Sequence, residues 1–412
     1  MVQEFQKTGI GKIPSDWRIE TLSSIAEVNP ESLSPKTPEN EIIEYIDIES
    51  IKEGKIKGTK ILAFKEAPSR ARRIVRKNDV IVSTVRPYLK AFTLVEDSRE
   101  NLICSTGFAV LRPKKGISAR FIYHYTFSNK FLSQLLRKMV GSNYPAVNNT
   151  DVSNALIPIP SFREQQKIAE ILTTVNEQIE QTDQLITKTK ELQKGLMQKL
   201  LFKGIGHSEF KETVVGNIPN EWRLVTFKDI STISQGLQVA ITDRYKEPGH
   251  NRYFYITIQY LNDKNNKENT YFIENPRESV LCNKDDILMT RTGNTGVVIS
   301  NVEGAFHNNF FKVDYDKKLI NKDFLVYYLK SNIIQNIIKR LAGTTTIPDL
   351  KHGDFYNIPV VLPELDEQKN IASILSSTDK QIKQYSVNKQ KFIDLKKGLM
   401  QKLLSGKIRV KV

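Results

Sequence analysis

The chain lacks most of the features by which enzymes and secreted proteins show themselves. Only two cysteines, Cys104 and Cys282, occur in 412 residues. That argues against a disulfide framework and fits a reducing compartment, so a cytoplasmic location is expected. No run approaches the roughly 18 to 20 apolar residues of a membrane-spanning helix, and the opening MVQEFQKTGIGKIPSDW holds no apolar core of a signal peptide. A soluble protein with no membrane partner is expected. The histidines, His124, His207, His250, His307 and His352, are scattered, and none stands at zinc-like spacing from a cysteine. There is no GxxxxGK[ST] loop, no GxGxxG after a strand and no GxSxG elbow. The glycines of RTGNTG (Arg291–Gly296) have the wrong spacing and suit a strand-to-loop turn. PDLK (Pro348–Lys351) lacks the separated second carboxylate of a nuclease metal site. Neither NYPAV (Asn143–Val147) nor HNNFF (His307–Phe311) supplies the Asn-Pro-Pro-aromatic loop of an amino-methyltransferase. No catalysis and no bound cofactor or metal are expected of this chain.

Negative charge is also in short supply. Lys and Arg number 61 against 46 Asp and Glu, giving a net charge of +15. A polyanionic partner, with nucleic acid the leading candidate, follows from this excess; the alternative is a basic surface with no specific partner. Hydrophobic residues at 39% suffice for real cores, and the length calls for at least two domains.

What the chain has is repetition. GKIPSDWR (Gly11–Arg18) returns as GNIPNEWR (Gly216–Arg223), and REQQKIAEIL (Arg163–Leu172) returns as DEQKNIASIL (Asp366–Leu375). LQKGLMQKLL (Leu192–Leu201) returns as LKKGLMQKLL (Leu395–Leu404) with nine of ten residues identical. The offsets stay at 203 to 205, so two tandem copies of one unit are present. Residues 19–156 and 224–358 have diverged beyond alignment by eye. Both keep short β-branched and aromatic runs, such as DVIVSTV (Asp79–Val85), FAVLRP (Phe108–Pro113), DILMTRTG (Asp286–Gly293) and FFKVDY (Phe310–Tyr315). Each is followed by a patch with helical spacing, Arg120–Met139 and Lys322–Leu341. Each variable region therefore reads as a mixed α/β globule.

After each globule the period changes. Apolar residues fall at Ile168, Leu172, Val175, Ile179, Ile186, Leu192, Leu196 and Leu200, with Thr182 and Thr189 on the same stripe, and the second copy gives Ile371, Leu375, Thr378, Ile382, Tyr385, Phe392, Leu395, Leu399 and Leu403 at offset 203. A stripe sustained over about five heptads predicts a coiled coil, with the sister helix of the same chain as the nearest partner. The alternative is a long helix packed on its own globule. Ser161 and Glu164 read as a capping box that the second copy lacks. The domains expected are residues 1–160, a first globule; 161–203, the first long helix; 204–363, a second globule; and 364–412, the second long helix and tail. The fold class is mixed α/β, two globular domains and two long paired helices with an internal pseudo-twofold repeat; an antiparallel pair would place the globules at its opposite ends. Gly195 and Gly398 interrupt both helices at one repeat position, which implies close approach of another helix, docking of a partner, or a bend. Leu192, Gly195, Leu196, Leu200, Leu395, Gly398, Leu399 and Leu403 are the candidates for helix packing or partner docking.

Candidates for nucleic-acid contact are the basic run Arg70, Arg72, Arg73, Arg76, Arg86 and Lys90 with Tyr88 among them, since arginine meets phosphates or guanine. Asn143, Tyr144 and Asn148 in one loop, and Thr344, Thr345, Thr346 and Lys351 in the corresponding loop, join them. Arg291 and Asn294 belong to the strand end of the second half. A solvated strand edge and ordinary turns are the alternatives.

With these residues in view, the chain resembles the specificity subunits of type I restriction-modification systems over essentially its whole length. The likeness rests on GxIPxxW, IPIP before EQQKIAEIL, KGLMQKLL, SRARR…STVRP, STGFAVLRP and DILMTRTG, in tandem order. It implies two target-recognition domains, each reading half of a bipartite, asymmetric site in double-stranded DNA, joined by helices in an antiparallel coiled coil. It implies that the helices set the half-site spacing and recruit two methyltransferase subunits carrying S-adenosylmethionine. ATP and Mg would belong to a separate motor and endonuclease subunit. A second class of reading is a non-catalytic coiled-coil scaffold or architectural protein with non-specific DNA binding.

Overall fold

Each GxIPxxW copy folds as a hairpin followed by a buried tryptophan. The computed structural model describes residues 4–263, 267–343 and 347–411. Phe5–Thr8 pairs with Gly11–Pro14, and Phe210–Thr213 with Gly216–Pro219. Gly11 and Gly216 turn the hairpins at φ +99° and +98°, a conformation open to glycine and costly for other residues. Ile13 and Ile218 point into the core, as do Trp17 and Trp222.

Two units result, Met1–Asp183 with Val387–Val412, and Gln184–Ser386. In the first, one antiparallel sheet has the order Phe92–Leu94, Val80–Ser83, Phe108–Pro113, Ala26–Val28. A second sheet runs Lys60–Ala63, Ile42–Ile46, Leu102–Ser105, Ala71–Ile74, with its central pair parallel. Leu156–Ile159 pairs with Arg18–Thr21 and leads into the first long helix. The second unit repeats this plan strand for strand: Ser231–Gln235, Phe310–Tyr315, Ile287–Thr290, Val298–Ser300; then Phe272–Glu274, Arg252–Ile256, Gly304–Phe306, Leu281–Cys282; then Arg223–Thr226 with Pro359–Leu362. Its central pair in the second sheet is likewise parallel. The diverged regions thus share one topology. Each helical patch read as continuous breaks at a serine, into Ala119–Thr126 and Asn129–Leu136, and into Lys322–Lys330 and Asn332–Ala342. Ser128 accepts the Phe131 N–H at 3.2 Å and so starts a new helix.

The long helices are Phe162–Lys203 and Leu365–Leu403. Each unit contains the first part of one and the last part of the other. In the first unit Ile168 and Leu172 pack in one core with Leu403 and Leu404, and Asp183 pairs with Lys389, so the segments run antiparallel. In the second unit Leu200 packs with Ile371 and Leu375, and Gln193 donates to Asp379 at 2.8 Å, again antiparallel.

The inward faces follow an unbroken four-three alternation. They run Ile168, Leu172, Val175, Ile179, Thr182, then Ile186, Thr189, Gln193, Leu196, Leu200; and Ile371, Leu375, Thr378, Ile382, Tyr385, then Lys389, Phe392, Lys396, Leu399, Leu403. Leu192 and Leu395, assigned to this stripe by the sequence, stand outside it at 55% and 48% exposure. One residue turns a helix by about 100°, so Gln193 and Lys396 take the inward places and the leucines face out. The glycines are corrected as well. A Cβ at Gly195 or Gly398 would meet nothing within 4 Å, so the sister helix needs neither. Among the described residues no helix is long and apolar enough to cross a membrane.

At the first turn of each long helix lies a carboxylate drawn out of solvent, fully buried in the first copy and half-buried in the second. Glu164 is 2% exposed; it accepts from Trp17 Nε1 at 3.2 Å and from Arg409 Nε and Nη2 at 2.6 and 2.8 Å. Its N–H does bond the Ser161 hydroxyl at 3.3 Å, but its carboxylate serves this cluster and closes no capping box. Glu367, its counterpart, accepts from Trp222 Nε1 at 2.9 Å and the Ile205 N–H at 3.0 Å, with His207 Nε2 at 2.9 Å.

Two predictions arise here. Gly195→Ala and Gly398→Ala should each stabilise the chain by about 1 kcal/mol, read as a raised denaturation midpoint, since helix propensity alone is at stake. A lowered midpoint would restore a packing need. The second concerns His124, which is buried on Ala119–Thr126 with Nε2 3.0 Å from the Thr173 hydroxyl. Burial, aided by the charges of Lys396 and Arg120, pushes its pKa down to about 3. The unfolded chain takes up this proton near pH 6.5 and the folded chain does not. Stability is therefore whole above about pH 6.5 and falls as pH drops toward 3, by about 2 kcal/mol at pH 5. Urea titrations at pH 7 and 5, followed by Trp17 fluorescence in a Trp222→Phe background, should show this loss and show it reduced in His124→Gln. Equal pH slopes in the two proteins would rule His124 out.

Candidate nucleic-acid interface

In each unit a central strand runs out beside a loop that precedes a short helix, and the two are laced together. In the first unit Val80–Ser83 continues into Thr84, Val85 and Arg86, then the turn Pro87–Leu89. The Val147 N–H donates to Thr84 O at 2.9 Å and the Arg86 N–H to Pro145 O at 2.8 Å. Arg86 Nη2 donates to Asn143 O at 2.9 Å, and its guanidinium lies 4.7 Å from the Tyr144 ring centre. Arg86 and Lys90 hold φ of +47° and +53°. Left-handed backbone costs such residues roughly 1–2 kcal/mol each, and strain of this kind gathers at functional sites. Tyr144 is 72% exposed, and Tyr88, Leu89, Val140, Asn143 and Asn148 are exposed too. Arg86 Nε is buried without a hydrogen-bond partner among the described residues. Aromatic planes, amides and a guanidinium with no carboxylate on it suit stacking, base edges and phosphates.

In the second unit Ile287–Thr290 continues into Arg291 and Thr292. The Gly293 N–H donates to Pro348 O and the Leu350 N–H to Arg291 O, both at 2.9 Å. Here the arginine stands two places earlier on the strand end, where the first unit has Thr84, and it turns inward. Arg291 Nη2 grips both Asp349 oxygens at 2.9 and 2.8 Å, and the Thr292 hydroxyl adds a bond at 2.6 Å. Burial works to raise the Asp349 carboxyl, but the bonds from Thr292 and Arg291 outweigh it and hold it below the usual range. Asn294 and Lys351 are exposed at this end. Thr344, Thr345 and Thr346 lie outside the described residues. The two units thus present the same laced loops with different charge: basic and aromatic in the first, neutralised in the second.

The run SRARR does not form one surface. Arg70 is exposed, Arg72 lies over the Phe64 ring at 4.7 Å, and Arg76 pairs with Glu31 at 2.6 Å. Arg73 is 8% exposed, opposite Cys104 in the sheet, with burial depressing its pKa. Successive strand residues point to opposite faces, which separates Arg72 from Arg73. Sequence reasoning missed a second basic and aromatic group. Arg252 lies over Tyr245 at 3.5 Å, and the Tyr271 ring takes Lys246 at 3.8 Å and Arg244 at 5.3 Å. Its signal, DRYKEPGHNRYFY, alternates cations and aromatics. Exposed Leu89 and Val140 were missed as well, since apolar residues in a basic stretch read as core.

Residues 14–191 and 219–391 match the type I restriction modification DNA specificity domain, Methylase_S. The chain belongs to this family, as a type I restriction-modification specificity subunit. It is 26% identical to the type I restriction enzyme MjaIX specificity subunit of Methanocaldococcus jannaschii over 443 residues, 99% of this chain and 97% of the relative. With the MjaVIII specificity subunit of the same organism it shares 25% over 423 residues, 97% and 95% of the two chains. The crystal structure of the HsdS subunit from Thermoanaerobacter tengcongensis is 25% identical, with a TM-score of 0.51 over 98% of this chain and 100% of that one. A structure bearing on assembly and conformational transition of the type I R-M system has the same fold, with a TM-score of 0.62, 24% identity and 96% and 99% coverage.

The unequal arginines should behave unequally. Arg86→Ala is expected to weaken binding of duplex DNA by about 1–3 kcal/mol with thermal stability unchanged. Arg291→Ala is expected to lower thermal stability and speed amide exchange in 347–351, because it frees Asp349 and the loop. Fluorescence anisotropy at two salt concentrations, scanning calorimetry and exchange mass spectrometry distinguish the two. Equal effects of both variants on binding, with neither destabilising, would contradict the division of roles.

Proposed function

We propose that each unit reads one half of a bipartite, asymmetric sequence in double-stranded DNA through its laced loops, and that the chain itself carries no catalysis. Each long helix crosses the boundary between the units, and we assign the helices to setting the half-site spacing and to recruiting two methyltransferase subunits. Motor and endonuclease subunits would join that assembly in the cytoplasm. As cofactors of methylation, translocation and cleavage, S-adenosylmethionine, ATP and Mg are assigned to those partners.

The observation that carries this reading is the outward side of KGLMQKLL. Leu196, Leu200, Leu399 and Leu403 face inward and are accounted for by helix pairing. Leu192, Gly195 and Lys199 are exposed, as are Leu395 and Lys402, and a Cβ on either glycine would meet nothing. Internal packing gives no reason for these outer residues to match between copies whose globules have diverged. Two identical partners docking on two matching surfaces do give one. Exposed leucines beside a glycine form a shallow apolar site suited to a partner helix.

The test is assembly. Leu192→Glu with Leu395→Glu should prevent co-purification with the methyltransferase subunits, while either single variant should retain one of them. The complete complex should methylate one split sequence. Full assembly in the double variant would refute docking on these faces. Methylation by this chain alone, or methylation without sequence preference, would refute the reading of the chain as a non-catalytic reader.

A further inference from the structure

Two lysines occupy inward places on the second long helix, and only one is neutralised. Lys389 is paired with Asp183. Among the described residues Lys396 makes no ion pair; its ammonium lies 5.9 Å from the Phe127 ring centre. A half-buried ammonium without a counter-charge is costly, so its surroundings should say what it is for.

Those surroundings are a cavity of about 520 Å³ in the first unit. Lys90, Lys130, Lys396, Lys397 and Lys407 line it, with no Asp or Glu among the lining residues. Lys90, Lys130 and Lys396 are half-buried, while Lys397 and Lys407 stand exposed at the mouth. Tyr125, Phe127, Met400 and Leu404 give it an apolar, aromatic floor. Burial, then the charge of Lys407, depresses the Lys130 pKa; burial, then the charge of Lys90, depresses that of Lys396, against a weaker pull from Glu180.

The second unit holds the same hollow 203 residues along and serves as an internal comparison. Ser128, Asn129 and Lys130 become Ser331, Asn332 and Ile333; Lys396 becomes Gln193; Ser405 becomes Phe202. There the hollow is only about 110 Å³. Phe202 is 4% exposed, its ring 5.6 Å from that of Tyr328, the counterpart of Tyr125. Gln193 is bonded to Asp379. The second hollow keeps Lys190, Lys194 and Lys330 at its edge but is plugged by Phe202 and has Ile333 and Gln193 in place of Lys130 and Lys396, while the first is open and carries those two lysines. The fold does not require the opening, because the sister unit forms without it.

We propose that this cavity binds a compact polyphosphate anion, with its phosphates on Lys90, Lys130 and Lys396 and any attached base on the apolar floor. The volume lies within the range of small-molecule sites. Duplex DNA is a convex rod whose phosphates meet protrusions and shallow grooves. Lys396, on the inward face of a helix pair, lies too deep for it. The site is separate from the laced loops and does not rest on the reading proposed for them.

Isothermal titration of the full chain with inorganic tripolyphosphate, and separately with magnesium-free ATP, tests this. One saturable site per chain is expected. Lys130→Gln with Lys396→Gln should weaken it by about a hundredfold, roughly tenfold for each charged contact removed. Ser405→Phe should abolish it without loss of thermal stability, since it copies the plug of the sister unit. Lys194→Gln with Lys330→Gln, in the second hollow, should change nothing. Tighter binding of ATP than of tripolyphosphate would place a base on the floor, and equal binding would assign the site to phosphates alone; both support it. No saturable binding of either probe overturns the proposal. So does binding that the cavity variants leave intact, or one for one displacement of tripolyphosphate by a duplex oligonucleotide.

Discussion

A bonded carboxylate at the start of each long helix, buried at Glu164 and half-buried at Glu367, constrains the rest of the structure. Left alone, Glu164 would be destabilising by several kcal/mol. It is matched by donors from distant parts of the chain: the Trp17 indole from the hairpin and the Arg409 guanidinium from beyond the second helix. Arg409 then holds Asp16, next to Trp17, at 2.9 and 2.8 Å. Satisfying one charge therefore fixes the hairpin, the start of one helix and the end of the other in a single register. The next residue extends the chain of consequences. Gln165 accepts the Ser118 N–H at 2.9 Å and donates to Pro160 O at 3.0 Å, and Ser118 caps Ala119–Thr126. Gln368 accepts from Asn321, the cap of Lys322–Lys330, at 2.7 Å and donates to Pro363 O at 2.8 Å. The two-residue word Glu-Gln ties the helix pair to the globule that carries the laced loops.

These roles explain which parts of the architecture were legible in the sequence. The repeat, the long helices and their pairing could be read because identical phrases and a sustained period are strong signals, while the antiparallel sense came with the family resemblance. Glu164 was misread because local spacing favours a capping box, whereas a charge-assisted bond to arginine and an indole N–H is the stronger use of a carboxylate. Glu364, standing where Ser161 stands in the first copy, already showed that the cap is not the shared requirement. The seam slipped by one residue for a related reason. Hydrophobicity drew Leu192 and Leu395 inward on paper, while strict alternation seats Gln193 and Lys396 there. Polar residues are tolerated at those places where Asp379 or a hollow receives them. The common strand order of the globules was beyond reach, because many sequences satisfy one pattern of buried strands.

Arginine counts were the weakest guide to the site. A guanidinium serves equally as a phosphate ligand and as a structural fork, and only its neighbours decide. Arg76 meets Glu31, and Arg112 links Glu31 to Asp79, so part of the basic run is spent on the scaffold of the first unit. Arg86 stays without a carboxylate beside an exposed tyrosine. The topology makes the site: two corresponding strand ends, each laced to a loop, leave short segments free to differ in charge without disturbing a sheet. Asp349 in one unit and its lack of an acidic counterpart in the other is such a difference, and recognition of unlike half-sites needs differences of this kind.

The two carboxylate locks show how the repeat tolerates change. Arg409 satisfies Glu164 and Asp16 together because its planar fork offers donors in two directions. Its counterpart His207 faces Glu367 through Nε2 and Glu221 through Nδ1 at 2.9 and 3.0 Å. An imidazole aims a single nitrogen at Glu367 where the guanidinium aims two at Glu164, so it cannot replace the arginine by itself. The difference is made up by backbone: the Ile205 N–H bonds Glu367 directly. The Gly204 bend that brings it there, at φ +65°, recurs as Gly406 at +67°. The bonded carboxylate and the glycine turn are thus the fixed terms of the design. The identity of the cation is free to vary, provided that the number of donors on the carboxylate is kept.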